Sequence, residues 1–339
     1  INGAMNVAQR ATSSTGIGAS SGYFVCDRWR FSKGGDASAG RFTMTQDSSA
    51  PEGFANSMKL ACTTTDTSIA ADEFLFIGQR IEGQNMQTFA KGTSSAKPFA
   101  VSFYVKGNAS ATYVCELVDQ DNSRQISKTF NVTTDWARIE LSFPADTTGT
   151  LDDDNAKSFE LVIWLHAGST YNSGTLNSSS WASLTNANRA VGGSSFFDST
   201  DRTFFLTGVQ LEVGQNPTEF EHEPVERTMA KCQRYFYSIG GDSVYERSSV
   251  GFNFSTTQAR CATFFPVQMR SAPSVAKSGD MFVGLGGGEQ AVTGVSNDNS
   301  SRNVGHAQFT VSSGLTIGQG NNVFWNNNTT ARLTFDSEL

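Results

Sequence analysis

The stretch FAVSFYVK, residues 99–106, decides the fold class of this chain. Its odd-numbered residues are Phe, Val, Phe and Val, whereas the even-numbered residues from 102 onward are Ser, Tyr and Lys. Side chains of a β-strand point alternately to opposite faces, so this pattern predicts a strand with one face on a core and one face toward water.

The same period of two recurs along the first two thirds of the chain, and long stretches with a helical period are absent. Further strands are predicted at RFTMTQ (41–46), SMKLACT (57–63), EFLFIGQRIE (73–82), TYVCELVD (112–119), RQISKTFNV (124–132), WARIELSF (136–143), SFELVIWL (158–165) and TFFLTGVQLEV (203–213). About ten strands separated by polar turns are typical of an antiparallel jelly-roll sandwich. The predicted fold is therefore all-β.

A chain of 339 residues exceeds the usual size of one hydrophobic core, which favours two domains. VERTMAKCQRY (225–235) has the pattern of a short helix, and strand patterns return after it. We expect a connecting segment at 1–22, a jelly-roll domain at 23–223 and a smaller β-sandwich domain at 224–339, the two domains being joined by the short helix.

Charge and hydropathy exclude several classes of partner. The net charge is −7, and such a field repels nucleic acid and anionic membrane surfaces. The longest apolar runs are far shorter than a bilayer requires, so membrane insertion is not expected. Five widely spaced cysteines are typical of buried free thiols in a reducing compartment, with a Cys232–Cys261 disulfide left open.

Seven segments, in a consistent order over nearly the whole chain, resemble the receptor-binding C-terminal part of bacteriophage tail fibres and related appendage proteins, particularly those of phages of marine bacteria. They are INGAMNVAQRATS (1–13), CDRWRF (26–31), TLNSSSWASLTNANRAVG (175–192), TGVQLEVGQNPTEFEHE (207–223), KCQRYFY (231–237), FPVQMRSAPSV (265–275) and FDSEL (335–339).

The resemblance implies a jelly roll similar to carbohydrate-binding modules, followed by a smaller β-domain and displayed as a homotrimer on a virion. It also implies a structural calcium held by acidic residues near the first and last strands. Thr207 and Gly208 stand where an acidic pair is expected, so we predict no cofactor and leave calcium open.

No motif for catalysis or metal binding is present. His166, His222 and His306 lack zinc-site spacing, and VGLGGGE (283–289) lacks the Lys and Ser or Thr that end a phosphate-binding loop. The acidic run at 152–155 offers oxygen ligands without EF-hand spacing and favours an exposed turn. We therefore predict no metal ligands and no enzyme, although carboxylates paired across a groove remain an alternative.

Sugar binding requires an exposed aromatic ring flanked by hydrogen-bonding side chains. The irregular segment 167–203 and the Asn-rich run near residue 325 have that composition. The candidate glycan-binding residues are Tyr171, Asn172, Trp181, Asn186, Asn188, Arg189, Trp325, Asn326 and Asn327. Alternatively, Trp181 closes the end of the sandwich and Trp325 packs in a trimer, while Trp29 and Trp136 are expected in the core.

These observations favour a non-enzymatic adhesion protein on the virion, a homotrimer that contacts other tail proteins and binds bacterial surface polysaccharide or lipopolysaccharide. Two alternatives remain at this point. One is a structural decoration protein of the capsid or tail that contacts other virion proteins. The other is a depolymerase that degrades polysaccharide.

Overall fold

The computed structural model describes residues 1–35, 38–284 and 288–339. The chain forms two compact units, one of residues 1–228 with Leu339 and one of residues 229–338. Helix α1 is Ser169–Asn172 and helix α2 is Val225–Gln233. Within the described ranges, no helix is long and apolar enough to cross a bilayer.

The first unit is a jelly-roll β-sandwich, in which the described residues form thirteen strands. In chain order they are β1 (Ser13–Ile17), β2 (Gly22–Tyr23), β3 (Arg30–Gly34), β4 (Arg41–Asp47), β5 (Ser57–Thr64), β6 (Phe74–Glu82), β7 (Phe99–Gly107), β8 (Ala111–Asp119), β9 (Arg124–Val132), β10 (Ala137–Phe143), β11 (Lys157–Ala167), β12 (Ala182–Ser183) and β13 (Thr203–Val213). Sheet A has the order β1-β4-β5-β13-β7-β10, and sheet B has the order β12-β9-β8-β11-β6-β3-β2.

Strand β7 shows why this sequence makes a sandwich. Phe99, Val101, Phe103 and Val105 are fully buried, because alternate side chains of the strand face the opposite sheet. The strand pairs antiparallel with β10 on one side and with β13 on the other, so it lies inside sheet A. The alternation predicted from the sequence is confirmed, and the protein is all-β.

Residues 1–22 belong to the sandwich, although the sequence predicts a connecting segment there. Met5 and Val7 are buried, and β1 pairs antiparallel with β4 at the edge of sheet A. The apolar side chains among the polar residues of this segment explain the difference, since each fills a space in the core.

A buried charge cluster lies at one end of the sandwich. The Lys91 side chain is fully buried; its Nζ donates to Asp119, lies 3.0 Å from Asp146 Oδ2, and donates to the carbonyl oxygens of Thr148 and Gly149 at 2.9 Å. Arg124 Nε donates to Asp146 Oδ2 at 2.7 Å. Both carboxylates are therefore paired and hydrogen-bonded, as burial of charge requires.

This cluster predicts a loss of stability in acid. Burial would raise the pKa of Asp146, but hydrogen bonds from Arg124 and Lys91 outweigh burial and hold that pKa below its ordinary value of 3.8. Asp146 thus contributes stability above about pH 3.8, and this contribution is lost as the pH falls through the lower folded-state pKa. Urea unfolding at a series of pH values should show this loss in the native protein. In Asp146→Asn this loss of stability in acid should be missing. Equal pH dependence of the unfolding free energy in both proteins would contradict the role given to Asp146.

The second unit has two parts, and its strands follow α2. They are β14 (Phe236–Ile239), β15 (Arg247–Asn253), β16 (Gln258–Phe264), β17 (Ser274–Ser278), β18 (Met281–Gly284), β19 (Gln290–Asn297), β20 (Val304–Val311), β21 (Gly320–Trp325) and β22 (Arg332–Asp336). A three-stranded sheet has the order β14-β22-β17, and a closed barrel has the order β15-β16-β20-β19-β18-β21. The smaller β domain thus consists of a barrel with an adjoining sheet. The glycine-rich segment 283–289 lies partly outside the described residues.

All five cysteines are buried, including Cys232 and Cys261 of the second unit. Burial raises the pKa of the Cys261 thiol to about 12, so this thiol is not a reactive nucleophile at neutral pH. The prediction that the cysteines are buried is confirmed.

Candidate functional site

The outer face of sheet B carries an unusual row of aromatic side chains. Phe74 and Phe76 are two residues apart on β6, so both project away from the core. Their rings stack with centroids 5.4 Å apart and planes 10° apart, and both side chains are only half-buried. A strand that buries Leu75 and Ile77 inward therefore also presents two rings outward.

Trp164 and Tyr171 complete a group of four rings with Phe74 and Phe76, which we call the aromatic platform. Trp164 lies opposite Phe76 in the β6–β11 pairing, with ring centroids 5.1 Å apart. Tyr171, in α1, contacts Phe74 at 5.1 Å and Trp164 at 5.4 Å. Trp164 is buried beneath its neighbours, whereas Tyr171 is half-buried. The three remaining rings thus keep surface for contact with a ligand.

A buried ion pair fixes the position of Trp164 in the platform. Glu116 on β8 accepts two hydrogen bonds from Arg189, at 2.9 Å each from Nε and Nη2, and a third from Trp164 Nε1 at 2.7 Å. The Arg189 guanidinium also lies over the Trp164 ring, 4.9 Å from its centroid. Burial raises the pKa of Glu116, and the charge and hydrogen bonds of Arg189 act against that shift. Arg189 therefore positions Trp164 and is largely occupied within the protein.

The irregular segment between β11 and β13 covers the rest of this face. Leu176, Leu184 and Ala190 pack on the outward residues Val114 and Val162. Backbone hydrogen bonds fix this covering at several points, for example from Ser127 N to the carbonyl oxygen of Asn177 at 2.8 Å. The segment thus buries one half of the outer face. On the other half, which we call the open half, Arg30, Phe74, Phe76 and Arg80 are half-buried, and Ser32 is buried.

Charged side chains border the platform on the open half. In the register of β3, β6 and β11, Arg30 lies opposite Gly78, and Arg80 lies opposite Glu160. Arg80 Nε is 3.5 Å from Glu160 Oε1, and Arg80 Nη1 donates to the carbonyl oxygen of Leu339, which is grouped with this unit. Burial, reinforced by the charge of Arg80, lowers the pKa of Arg30. Glu160 is buried, whereas Arg30 and Arg80 are half-buried, so the two arginines are the charged groups with surface beside the rings.

The structure brings three of the predicted residues to the platform. Tyr171 belongs to it, Arg189 contacts its Trp164 ring, and Asn172 follows Tyr171 and donates from Nδ2 to the carbonyl oxygen of Ala167 at 2.8 Å. Asn188 lies in the same segment and accepts from Thr175 N at 2.9 Å, while Asn186 is exposed. The Asn172 and Asn188 side chains therefore fix the local chain, and Asn186 is open to solvent.

Trp181 and Trp325 are placed in the cores. Trp181 packs on the rings of Phe99 and Phe159, and its Nε1 donates to the carbonyl oxygen of Pro144 at 2.8 Å. Trp325 is the last residue of β21 and is fully buried, whereas Asn326 and Asn327 are exposed in the turn that follows. Neither Trp ring has a face free for a sugar. The position of Trp181 fits the alternative interpretation, in which this residue closes the end of the sandwich.

The expectations for two other tryptophans have different outcomes. Trp29 is in the core, 2% exposed. Trp136 is half-buried and packs on Phe205 with ring centroids 6.0 Å apart, so its prediction as a core residue was wrong. Trp136 directly precedes β10, where even-numbered residues face outward, and the sequence therefore places it on the outer face of sheet A.

Sequence reasoning missed Phe74, Phe76 and Trp164. Each stands in a run that is apolar on both faces, EFLFIGQRIE or SFELVIWL, and such runs are typical of strands covered on both sides. The signal that was available is the pair of Phe residues at 74 and 76, which share a face opposite to that of Leu75 and Ile77.

The implied calcium site does not fit the residues present. Thr207 lies inside β13, is fully buried, and donates from Oγ1 to the carbonyl oxygen of Asn56 at 2.7 Å. Gly208 has φ +62 and no side chain to offer. The acidic run Asp152–Asp154 is exposed, as predicted for a turn.

Metal-type donors converge elsewhere in the first unit. Asp66, Glu73 and His166 are buried, and one ligand atom of each lies within 4.8 Å of the other two. Burial lowers the pKa of His166, although the charges of Asp66 and Glu73 oppose this. None of the three histidines follows a zinc motif in sequence, which is why this group was not predicted.

No protein-family model matches the chain, and no curated protein matches it. Solved structures with a similar arrangement include a CBM4 module (13% identity, 63% of this chain and 99% of that chain, TM-score 0.33). Another is the family 11 carbohydrate-binding module of Clostridium thermocellum in complex with a β-1,3-1,4-mixed-linked tetrasaccharide (13% identity, 62% of this chain and 99% of that chain, TM-score 0.29). A third is the N-terminal cellulose-binding domain of β-1,4-glucanase C from Cellulomonas fimi (11% identity, 61% of this chain and 98% of that chain, TM-score 0.29). At these TM-scores the likeness carries no functional argument.

Proposed function

We propose that this protein is a non-enzymatic adhesion protein that binds bacterial surface glycans on the aromatic platform of its first unit. The observation that carries the proposal is the group of four rings on the outer face of sheet B, bordered by Arg30, Arg80 and Glu160. Pyranose rings present flat C–H faces and a rim of hydroxyls, which match aromatic rings beside charged hydrogen-bonding groups.

The place of action in this proposal is the virion. The seven segments that resemble phage tail fibres and appendages support it, and they include TLNSSSWASLTNANRAVG, which covers the outer face of sheet B. In this proposal the chain is part of an external appendage, contacts other tail proteins and meets polysaccharide or lipopolysaccharide of the host cell.

Adsorption to host cells tests this function. We expect the recombinant protein to bind cells that carry surface polysaccharide and to lose most of this binding when the polysaccharide is stripped. Unchanged binding to stripped cells would favour a protein receptor, and absent binding to both would favour the structural decoration role. Incubation with purified polysaccharide should release no fragments; release would indicate a depolymerase.

We further propose that the protein is a homotrimer, and an exposed patch on the barrel supports this. Val250, Phe252, Phe254 and Phe264 are 64%, 47%, 47% and 74% exposed, respectively. Val250 pairs with Ala262 across β15 and β16, so Val250, Phe252 and Phe264 point outward from neighbouring strands. Large exposed rings on one surface are typical of interfaces between chains, and several weak glycan sites in one particle gain avidity.

Replacing Phe264 by glutamate should therefore dissociate the trimer. The change puts a charge where a ring would be desolvated between subunits, and light scattering should report one 36.5 kDa chain in place of three. Ile69→Glu is the matched control, because Ile69 is 41% exposed in the first unit, and it should stay trimeric. A native protein that is monomeric at micromolar concentration would overturn the trimer proposal and leave the glycan site untouched.

A further inference from the structure

We propose that Asp66, Glu73 and His166 bind one divalent transition-metal ion, for which zinc is the best match, and that this ion ties together three segments of the first unit. The site is separate from the aromatic platform and does not depend on glycan binding. It rests on geometry, on unpaired buried groups and on the contacts that orient the donors.

The distances suit a small ion. The three donor atoms lie within 4.8 Å of one another, and His166 Nε2 is 3.6 Å from Glu73 Oε2. Zinc–ligand bonds of about 2.0–2.2 Å in a tetrahedral site put ligand atoms about 3.4 Å apart. The pair at 3.6 Å is close to that separation, and a shift of the third donor by at most about 1.4 Å closes the set.

Donor atoms of Glu73 and His166 lack hydrogen-bond partners. Among the residues that the structure describes, neither Glu73 Oε1 nor Glu73 Oε2 makes a hydrogen bond, and the same holds for His166 Nε2. The Glu73 and His166 side chains are each 1% exposed. An ionised carboxylate in such a place is strongly destabilising unless a cation or hydrogen bonds compensate it. A divalent ion would neutralise both carboxylates and use the free imidazole nitrogen.

The surrounding contacts orient two of the ligands. His166 Nδ1 lies 2.8 Å from Ser195 Oγ, and a proton donated from Nδ1 leaves the Nε2 lone pair directed at Glu73. Asp66 Oδ2 accepts from Ala39 N at 2.8 Å, which leaves Oδ1 for an ion. Metal ligands in proteins are commonly fixed by such outer hydrogen bonds.

The ligand set favours zinc over calcium or magnesium. Calcium and magnesium take oxygen ligands, whereas imidazole nitrogen suits zinc and its neighbours in the first transition series. One imidazole and two carboxylates supply three of the four ligands of a tetrahedral zinc ion, so a water molecule would take the fourth position.

The ion would join segments that are distant in sequence. Asp66 follows β5, Glu73 directly precedes β6, and His166 is near the end of β11. Gly168 N donates to the Glu73 carbonyl oxygen at 2.8 Å, so the start of the irregular segment is already held here. Since Phe74 is the next residue after Glu73, the ion would also fix one edge of the aromatic platform.

Crystals of the native protein equilibrated with ZnCl₂ give the first test. We expect an anomalous-difference peak among Asp66, Glu73 and His166 at the zinc edge, and one zinc per chain by elemental analysis after gel filtration. Co²⁺ should give visible bands of a low-symmetry site. No peak there, together with less than about one tenth of an ion per chain, would overturn the proposal.

Variants give the second test. Glu73→Gln and His166→Gln should each lose the stoichiometric zinc, and in the native protein alone a chelator should lower the melting temperature. His306→Gln is the control, because His306 lies in the second unit with its side chain 36% exposed, and it should keep the ion. If Glu73→Gln is more stable than the native protein with and without zinc, the metal site is wrong.

Discussion

Replacing Lys91 by methionine should lower the free energy of unfolding of the first unit by about 3–5 kcal/mol, the range seen when one partner of a buried ion pair is removed. The fully buried ammonium contacts Asp119 and Asp146 and donates to two carbonyl oxygens. Methionine has nearly the same length and fills the space, so the loss is chiefly electrostatic. Asp119 would be left buried without its cation.

Urea unfolding followed by tryptophan fluorescence measures this effect, since Trp181 packs beside Lys91, with Nζ 5.4 Å from its ring centroid. Lys59→Met is the matched control. Lys59 is 33% exposed and 3.5 Å from Asp47, and exposed pairs of this kind contribute at most about 1 kcal/mol. Equal losses in the two variants would contradict the role given to the buried cluster.

Replacing Phe76 and Tyr171 together by alanine should weaken binding to host surface glycan by about 30-fold to 700-fold. Each ring that covers a sugar face contributes about 1–2 kcal/mol through area burial and stacking, and 1.4 kcal/mol is tenfold in affinity. Both side chains are half-buried at the surface, so their removal leaves Trp164 and the core beneath it in place. Binding of purified polysaccharide by calorimetry measures the change.

The control for this variant is Trp136→Ala, which removes a half-buried ring from the outer face of sheet A. It should bind as the native protein does. If Trp136→Ala loses affinity and the double variant keeps it, the glycan site lies on sheet A and the assignment to the platform is wrong. Melting temperatures near that of the native protein in both variants exclude unfolding as the cause.

Much of the first unit could be predicted because the alternation of residues within a single β-strand already shows which face of the strand is buried. The alternation in FAVSFYVK fixes which side chains of β7 face the core, and the structure buries those side chains. Closure of the second unit into a barrel was not predictable, because it depends on β15 pairing with β21, about seventy residues away. Alternation shows which face is buried and does not show which strands pair.

The site was less accessible to sequence reasoning than the fold. Tyr171 was a candidate because it is an aromatic residue in a long polar segment, and it belongs to the platform. Trp181 and Trp325 were candidates for a similar reason, but both are core residues. Composition alone cannot distinguish a ring that lies on a surface from one that is buried in a core. Phe74, Phe76 and Trp164 are visible only when the strand register places them side by side.

The donor group Asp66, Glu73 and His166 shows the same limit more sharply. Asp66 and Glu73 lie near the two ends of the connection between β5 and β6. His166 is in β11, nearly a hundred residues later. A motif search depends on short fixed spacing, which helical zinc sites have and this group lacks. Only the packing of the strands brings the donors together.

The central claim is that the open half of the outer face of sheet B binds sugar. Crystals soaked with oligosaccharide fragments of the host surface polysaccharide test it most directly. We predict a sugar ring stacked on Phe76 or Tyr171, with hydroxyls within hydrogen-bonding distance of Arg30 or Arg80. A fragment bound only at another surface, or saturating binding in solution with an empty platform in the crystal, would contradict it.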